Sequence, residues 1–174
     1  MIIALAGRRI DAPNASPARF PLENIAAVRE KIRTAFREAG VRGVVCAAAC
    51  GADLLALDVA GELGLRRRIV LPYDRETFKQ RSVTDRPGDW EYLYDRILAD
   101  VEGRRDLIVY DYEPGDNDVY FAVNHDILDA AEDLALEMQQ KLGGFIIWDQ
   151  QTREDDDVTA HFLEEAQQIG RAHV

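Results

Sequence analysis

The sequence predicts an α/β protein with a Rossmann-like, open parallel sheet of five to six strands and helices on both faces. Short apolar runs alternate with segments of helical periodicity along the chain. The runs VVC, RIVL, LIVY and FIIW are apolar at consecutive positions, as expected for strands that are buried on both faces. Residues 44–72 contain a strand, a small-residue turn, a helix and a second strand, which together make one complete βαβ unit.

The first half of the chain predicts three strands and two helices. Residues 2–6 form the first strand, and residues 11–21 form a loop rich in Pro, Asn and Ser. Apolar residues at helical spacing predict a helix over residues 24–39, with Gly40 as its C-terminal cap. The βαβ unit then supplies a strand, a helix and a strand, at residues 42–46, 52–64 and 68–72.

The second half opens with residues 73–89, which are polar and irregular. This segment is too long for a simple connector, so we expect a functional loop. Asp89 is predicted to cap a helix over residues 89–101. The remaining predicted elements are a strand at 107–110, a turn at 113–118, a helix at 120–141, a strand at 145–148, an acidic loop at 149–157, a helix at 158–169 capped by Gly170, and the start of a further strand at 171–174.

Length and charge limit the classes of function. A chain of 174 residues suits one domain, so we predict a single domain over residues 1–174 and leave open that it was cut from a longer protein. The net charge of −11 disfavours both nucleic acid and anionic membranes as partners. A small anionic ligand needs only local positive charge, for which the candidates are Arg8, Arg9, Arg19 and Arg66 to Arg68.

No signal peptide or membrane span is predicted, and we expect a cytoplasmic protein. Cys46 and Cys50 are interpreted as buried thiols, because two cysteines make a disulfide framework improbable. No metal site is predicted, since the histidines are scattered. The acidic run at residues 155–157 is interpreted as solvated charge.

The turn at residues 47–51 predicts a ligand site. It contains only Ala, Cys and Gly, and it precedes a helix at the edge of the sheet where open α/β folds bind ligands. Small side chains allow a ligand to approach the backbone, and a helix N-terminus favours an anion. This indicates a nucleotide or phosphosugar site; the alternative is that small residues only let the helix pack tightly.

The candidate ligand-binding residues follow predicted strands at this edge, lie in the loops above it, or lie near the starts of predicted helices. They are Gly7, Arg8, Arg9, Arg19, Cys50, Gly51, Ala52, Asp53, Arg81, Ser82, Asn124, Trp148, Asp149 and Thr159.

Several of these candidates have alternative roles. Arg8 or Arg9 would clamp a phosphate with two hydrogen bonds, or belong to a solvated turn. Asp53 would accept a hydrogen bond from a ribose hydroxyl, or cap the second helix. The segment around Arg81 and Ser82 would act as a lid. The basic run at residues 66–68 is expected to be a solvated turn at the opposite edge.

These residues resemble the SLOG superfamily, which unites the Lonely Guy phosphoribohydrolases with the DNA-processing protein A family. The resemblance is closest to SLOG-like sensor domains of bacterial signalling and conflict proteins, which are often fused to effector domains. The matching segments are Gly7-Arg8-Arg9, Cys50-Gly51-Ala52-Asp53-Leu54-Leu55, Gly64, Leu71-Pro72, and Phe145-Ile146-Ile147-Trp148-Asp149 followed by Thr159.

The resemblance implies a Rossmann-like domain that binds a nucleotide or nucleotide-derived ligand. Our first hypothesis is a sensor domain with no further cofactor. The predicted helix at residues 120–141 has more apolar surface than one face of a sheet need bury, which predicts a homodimer, in agreement with the resemblance. An N-glycosidic hydrolase of nucleoside monophosphates is the first alternative. However, residues 149–159 lack the glycines of the phosphoribohydrolase motif, and no carboxylate directly follows Thr159. Glu164, Asp149 or Asp53 would have to replace the missing glutamate, so no catalytic residue is assigned. Single-stranded DNA binding is the second alternative.

Overall fold

The computed structural model describes residues 1–115, 117–149, 151, 158–168 and 172–173. These residues contain six strands, six α-helices and a 3₁₀ turn at Leu22–Asn24. In chain order, the elements are β1 (Ile2–Gly7), α1 (Ile25–Glu38), β2 (Gly43–Cys46), α2 (Ala52–Glu62), β3 (Arg66–Leu71), α3 (Arg75–Ser82), α4 (Glu91–Gly103), β4 (Leu107–Val109), α5 (Asn117–Glu137), β5 (Leu142–Ile147), α6 (Val158–Gln168) and β6 (Ala172–His173).

All strands pair in parallel, in the order β4-β3-β2-β1-β5-β6. The predicted fold class, a Rossmann-like parallel sheet with helices, is therefore confirmed. The chain builds the sheet outward from β1 to β4 on one side and then returns to add β5 and β6 on the other. The direction of the strand order reverses between β1 and β5, and such a switch point opens a crevice at the carboxyl ends of the strands.

The core has one layer on each face of the sheet. Side chains of β1 alternate between the layers: Ile3 and Leu5 pack against α1, α2 and α4, whereas Ile2 and Ala4 pack against α5 and α6. These four side chains are fully buried. The consecutive apolar residues of the strands thus reflect burial on both faces, as the sequence predicts.

The expectation of an irregular loop over residues 73–89 is wrong, because helix α3 lies within it. The Asp74 side chain caps α3 by accepting hydrogen bonds from the backbone N–H groups of Glu76 and Thr77, at 3.1 and 2.9 Å. Only Phe78 and Ser82 of this helix are buried, so the sequence lacks an apolar periodicity that would predict it. The expectation that Asp89 caps the next helix is also wrong, since the N-cap of α4 is Trp90.

The basic run at residues 66–68 is not a solvated turn. It forms the first half of β3, and its guanidinium groups are paired with carboxylates. Asp106, which is fully buried, forms ion pairs with Arg66 and Arg68. Arg67 pairs with Asp100 at 2.6 Å. These carboxylates are 33 to 40 residues away in the chain, so the local sequence gives no sign of the network.

Several predicted boundaries move by a few residues. Helix α5 begins at Asn117, within the predicted turn, rather than at residue 120, and it ends at Glu137. Strand β5 begins at Leu142 rather than at residue 145. The acidic run at 155–157 and the predicted cap Gly170 lie outside the described residues. Cys46 and Cys50 are buried, free thiols. Among the described residues, no helix combines the length and the apolar character needed to cross a membrane.

Candidate nucleotide-binding cleft

A cleft of about 910 Å³ opens at the carboxyl ends of β1 and β2, next to α5. Leu5, Ala6 and Gly7 of β1 and Ala47 after β2 line its inner wall. It therefore lies beside the switch point of the strand order, where open α/β sheets bind ligands.

Glycines at this edge allow α2 to pack directly on the end of β1. A Cβ atom added to Gly7 would lie 2.4 Å from the Cβ atom of Ala52 and 3.0 Å from the carbonyl oxygen of Ile147. Gly51 has a φ of +97°, and a Cβ atom there would lie 2.8 Å from both the carbonyl oxygen of Arg8 and the backbone nitrogen of Ile10. Tight packing, the alternative interpretation of this turn, thus explains Gly51 and Ala52, whereas Ala47 and Ala49 line the cleft.

Replacement of Gly51 by Ala is expected to lower the free energy of unfolding by about 2–4 kcal/mol, because strain at positive φ adds to overpacking. Gly40 is a matched control, since its φ is +62° but nothing lies within 4 Å of an added Cβ. Gly40→Ala should cost only about 1 kcal/mol. Urea denaturation of both variants measures the difference, and equal losses would contradict the close packing at Gly51.

Arg8 and Arg19 line one end of the cleft. Arg8 is only 6% exposed, and its guanidinium carbon lies 5.7 Å from the centre of the Trp148 ring. Its Nε atom is 3.5 Å from Oδ1 of Asp149, and Arg19 Nη1 is 3.6 Å from Oδ2 of the same carboxylate. Both guanidinium groups also donate to the carbonyl oxygen of Gln151. Asp149 and Trp148 therefore hold the arginines and do not themselves line the cleft.

A second pair of arginines, Arg9 and Arg86, also lines the cleft. Both pair with Asp85, and Arg9 also donates to Sγ of Cys50 at 3.8 Å. Burial raises the pKa of the Cys50 thiol, although Arg9 opposes this shift. Cys50 is thus a neutral packing residue beneath the arginines.

Asp53 is a buried carboxyl group that lines the cleft, with 7% of its surface exposed. Its Oδ2 atom accepts a hydrogen bond from the backbone N–H of Ala49 at 3.2 Å, whereas Oδ1 has no hydrogen-bonding partner among the described residues. Gly51, not Asp53, is the N-cap of α2. Burial raises the pKa of Asp53 to about 7, against the opposing effects of the Ala49 N–H and Arg9. The carboxyl group is therefore suited to exchange a hydrogen bond or a proton with a ligand near neutral pH.

The opposite wall comes from α5 and α6. Tyr120, Asn124 and Thr159 line the cleft there. The Asn124 amide donates to the carbonyl oxygen of Val158 at 3.0 Å, so it also ties α6 to α5. The Tyr120 hydroxyl is 2.8 Å from that of Tyr73 and 3.2 Å from Oγ of Ser82, which joins the end of α3 to this wall.

The structure brings many of the candidate residues together. Those lining the cleft are Gly7, Arg8, Arg9, Arg19, Asp53, Ser82, Asn124 and Thr159. Those that do not line it are Cys50, Gly51, Ala52, Arg81, Trp148 and Asp149. Arg81 instead donates to the carbonyl oxygen of Gly115 at 2.9 Å.

Some lining residues were missed by the sequence analysis, above all Ser16, Pro17, Arg86 and Tyr120. Arg86 follows the segment of Arg81 and Ser82, so a wider interpretation of that segment would have included it. Ser16 and Pro17 lie in a loop of small and polar residues that carries no distinguishing pattern.

Comparison with known proteins gives no matching family model and no matching curated protein. Among solved structures, the chain is similar to DNA processing protein A from Helicobacter pylori, with 14% identity, a TM-score of 0.44, and coverage of 96% of this chain and 73% of that one. It is also similar to DNA processing protein A from Streptococcus pneumoniae, with 13% identity and a TM-score of 0.43. The match covers 98% of this chain but only 57% of the Streptococcus protein. These similarities concern the fold.

The expectation that nucleic acid is disfavoured as a partner is corrected by this comparison. The Helicobacter pylori structure is described by its mode of binding single-stranded DNA. The physical flaw in the expectation is that a net charge of −11 is a sum over the whole chain. It does not describe the cleft, where four arginines gather.

Proposed function

We propose that this protein binds a nucleotide or nucleotide-derived ligand in the cleft and acts as a ligand-responsive sensor domain. One observation supports the proposal: arginine side chains and a buried carboxyl group face the same cleft, at the switch point of a parallel sheet, and one oxygen of that carboxyl group has no hydrogen-bonding partner within the described part of the chain. Nucleotides combine an anionic phosphate with a hydroxylated sugar, and this pair of chemistries matches the two kinds of group.

The charge of the cleft suits one phosphate group. Four guanidinium groups line it, and the carboxylates of Asp85 and Asp149 pair with them. Among the residues that the structure describes, and apart from Asp53, this set carries two net positive charges, which matches a phosphate monoester dianion. The volume of about 910 Å³ lies within the range of small-molecule sites.

Asp53 supports a sugar at the other end of the ligand. Burying an oxygen atom without a hydrogen bond lowers the stability of the folded protein, and a ligand that donates a hydrogen bond to this oxygen removes that penalty. A ribose hydroxyl is such a donor, and a carboxylate would repel phosphate. The ligand therefore places its sugar at Asp53 and its phosphate at the arginines.

A second candidate function is hydrolysis of an N-glycosidic bond, which Asp53 favours. Among the three carboxylates considered as replacements for the missing glutamate, Glu164 is exposed and Asp149 is paired with Arg8 and Arg19. Asp53 alone of these three lines the cleft, and its pKa of about 7 suits general acid–base chemistry. In this reaction water adds to the ribose C1′ atom, the bond to the base nitrogen breaks, and the base leaves protonated.

A thermal-shift screen followed by mass spectrometry tests both candidates. The probes are nucleoside monophosphates, cyclic nucleotides, NAD, ADP-ribose and a short single-stranded DNA. A ligand that binds the native state raises the melting temperature. Intact recovery of a stabilising nucleotide supports the sensor, and release of a free base supports the hydrolase. Nucleotide binding would be contradicted if only the oligonucleotide raised the melting temperature, or if none of the probes did.

Matched arginine variants locate the effect. Arg19→Gln removes a cation that lines the cleft, whereas Arg37→Gln removes an exposed cation at the end of α1, at the opposite edge of the sheet. The proposal expects Arg19→Gln to reduce the thermal shift and Arg37→Gln to leave it unchanged. Equal effects of the two variants would indicate a nonspecific charge effect.

A further inference from the structure

Arg8 and Arg19 converge on one anion although they come from different parts of the chain. Arg8 follows β1, and Arg19 lies in the loop before α1. Both contact the same two acceptors, the Asp149 carboxylate and the carbonyl oxygen of Gln151. Two guanidinium groups around one anion is the arrangement that proteins use to bind phosphate.

Both arginines are held in place by contacts independent of that anion. The backbone N–H of Arg8 donates to the carbonyl oxygen of Ile147 at 2.8 Å, and the Trp148 ring lies beside its guanidinium. The Asp11 carboxylate accepts from the backbone N–H groups of Arg19 and Phe20, both at 2.8 Å, which fixes the loop. The pair is therefore preorganised, and little ordering is needed when a ligand binds.

The Asp149 carboxylate fills this position imperfectly. Its oxygens lie 3.5 and 3.6 Å from the nearest nitrogens of Arg8 and Arg19. Charge-assisted hydrogen bonds between such groups are normally about 2.7–2.9 Å long. A phosphate monoester offers three oxygens and up to two negative charges, so it can form shorter bonds to both guanidinium groups.

We propose that Arg8 and Arg19 form the phosphate-binding pair of the cleft and that Asp149 occupies this pair as an internal anion in the ligand-free protein. The phosphate of the ligand displaces the Asp149 carboxylate, so Asp149 lowers affinity and makes binding selective for phosphorylated ligands. This inference rests on the proposed function, because it assigns the phosphate end of the same ligand.

The second arginine pair is less suited to this role. Asp85 forms a close contact with Arg9, which the Cys50 sulfur also contacts, and Asp85 lies 3.5 Å from Nε of Arg86. The close Arg9–Asp85 contact leaves less to gain from a replacement anion. Asp85 thus provides a control carboxylate within the same cleft region.

The test compares three variants by isothermal titration calorimetry with inorganic phosphate, AMP and adenosine. Asp149→Asn removes the internal anion at nearly constant volume. Asp85→Asn is the local control, and Glu38→Gln removes an exposed charge at the end of α1. Asp149→Asn removes a competing, partly buried ion pair, so this variant should bind phosphate and AMP about five-fold more tightly than the wild type. Adenosine binding should not change, and Glu38→Gln should match the wild type.

Each result has a defined meaning. Tighter phosphate and AMP binding by Asp149→Asn, reversed when Arg19→Gln is added, supports the inference. If the wild type binds AMP and Asp149→Asn binds it equally or more weakly, the inference is overturned while the proposed function stands. If Asp85→Asn tightens binding as much as Asp149→Asn, general charge explains the effect and the inference fails. If no protein binds phosphate or AMP, both the inference and a nucleoside monophosphate ligand are rejected.

Discussion

Replacement of Asp53 by Asn is expected to make the free energy of unfolding less dependent on pH. The wild type should lose about 4 kcal/mol of this free energy as the pH rises, and the variant should not. Burial raises the pKa of Asp53 from 3.8 to about 7 in the folded state. The folded protein therefore holds the Asp53 proton more tightly than the unfolded chain does. The stability contributed by the Asp53 proton is fully present below about pH 4 and falls as the pH rises, until it is lost completely above the folded-state pKa of about 7.

Chemical denaturation of the wild type and Asp53→Asn at several pH values measures this loss. The difference in unfolding free energy between the two proteins should change steadily from about pH 4 to about pH 7 and then level off. Asp58→Asn is a control for the removal of a carboxylate from the same helix, because Asp58, unlike Asp53, is paired with arginines, namely Arg29 and Arg96. A constant difference between wild type and Asp53→Asn across this range would show that Asp53 is ionised normally.

Replacement of Asp106 by Ala is expected to lower the free energy of unfolding by about 3–5 kcal/mol. Asp106 is fully buried and pairs with Arg66 and Arg68, so its removal leaves two guanidinium groups without their buried partner. Arg68 is itself only 13% exposed, which limits the water that could replace the carboxylate.

Glu137→Gln is the matched control for Asp106. Glu137 pairs with the same two arginines, but it is 49% exposed. Exposed ion pairs contribute at most about 1 kcal/mol, so this variant should remain close to the wild type. Urea denaturation of both variants gives the comparison. If Asp106→Ala loses no more stability than Glu137→Gln, the network at the start of β3 does not stabilise the fold as its burial indicates.

The parallel sheet could be predicted because its signal is local. Strand β2 and the second half of β3 are short apolar runs, and α2 between them follows a turn of small residues. Helix α3 could not be predicted in the same way, because only Phe78 and Ser82 of it are buried. The role of the run at residues 66–68 depends on Asp106 and Glu137, which only the folded chain brings near.

The cleft was predictable in position but less so in detail. Residues that follow β1 and β2, such as Arg8 and Asp53, line it because strand ends meet at one edge of a parallel sheet. Asp149 also follows a strand, yet its side chain points to Arg8 and Arg19 instead. The sequence pattern alone cannot distinguish a carboxylate that faces a cleft from one that pairs with the arginines lining it.

The most direct test of nucleotide binding is chemical-shift mapping by NMR, to which a 19.6 kDa chain is well suited. Uniformly ¹⁵N-labelled protein is titrated with AMP and, in parallel, with adenosine. If the nucleotide binds in the cleft, AMP should shift the backbone amides of Gly7, Arg8, Arg19 and Ala49, whereas the amides of Arg66 to Arg68 at the opposite edge should remain unchanged. Shifts confined to the opposite edge, or no shifts at millimolar AMP, would contradict binding in the cleft.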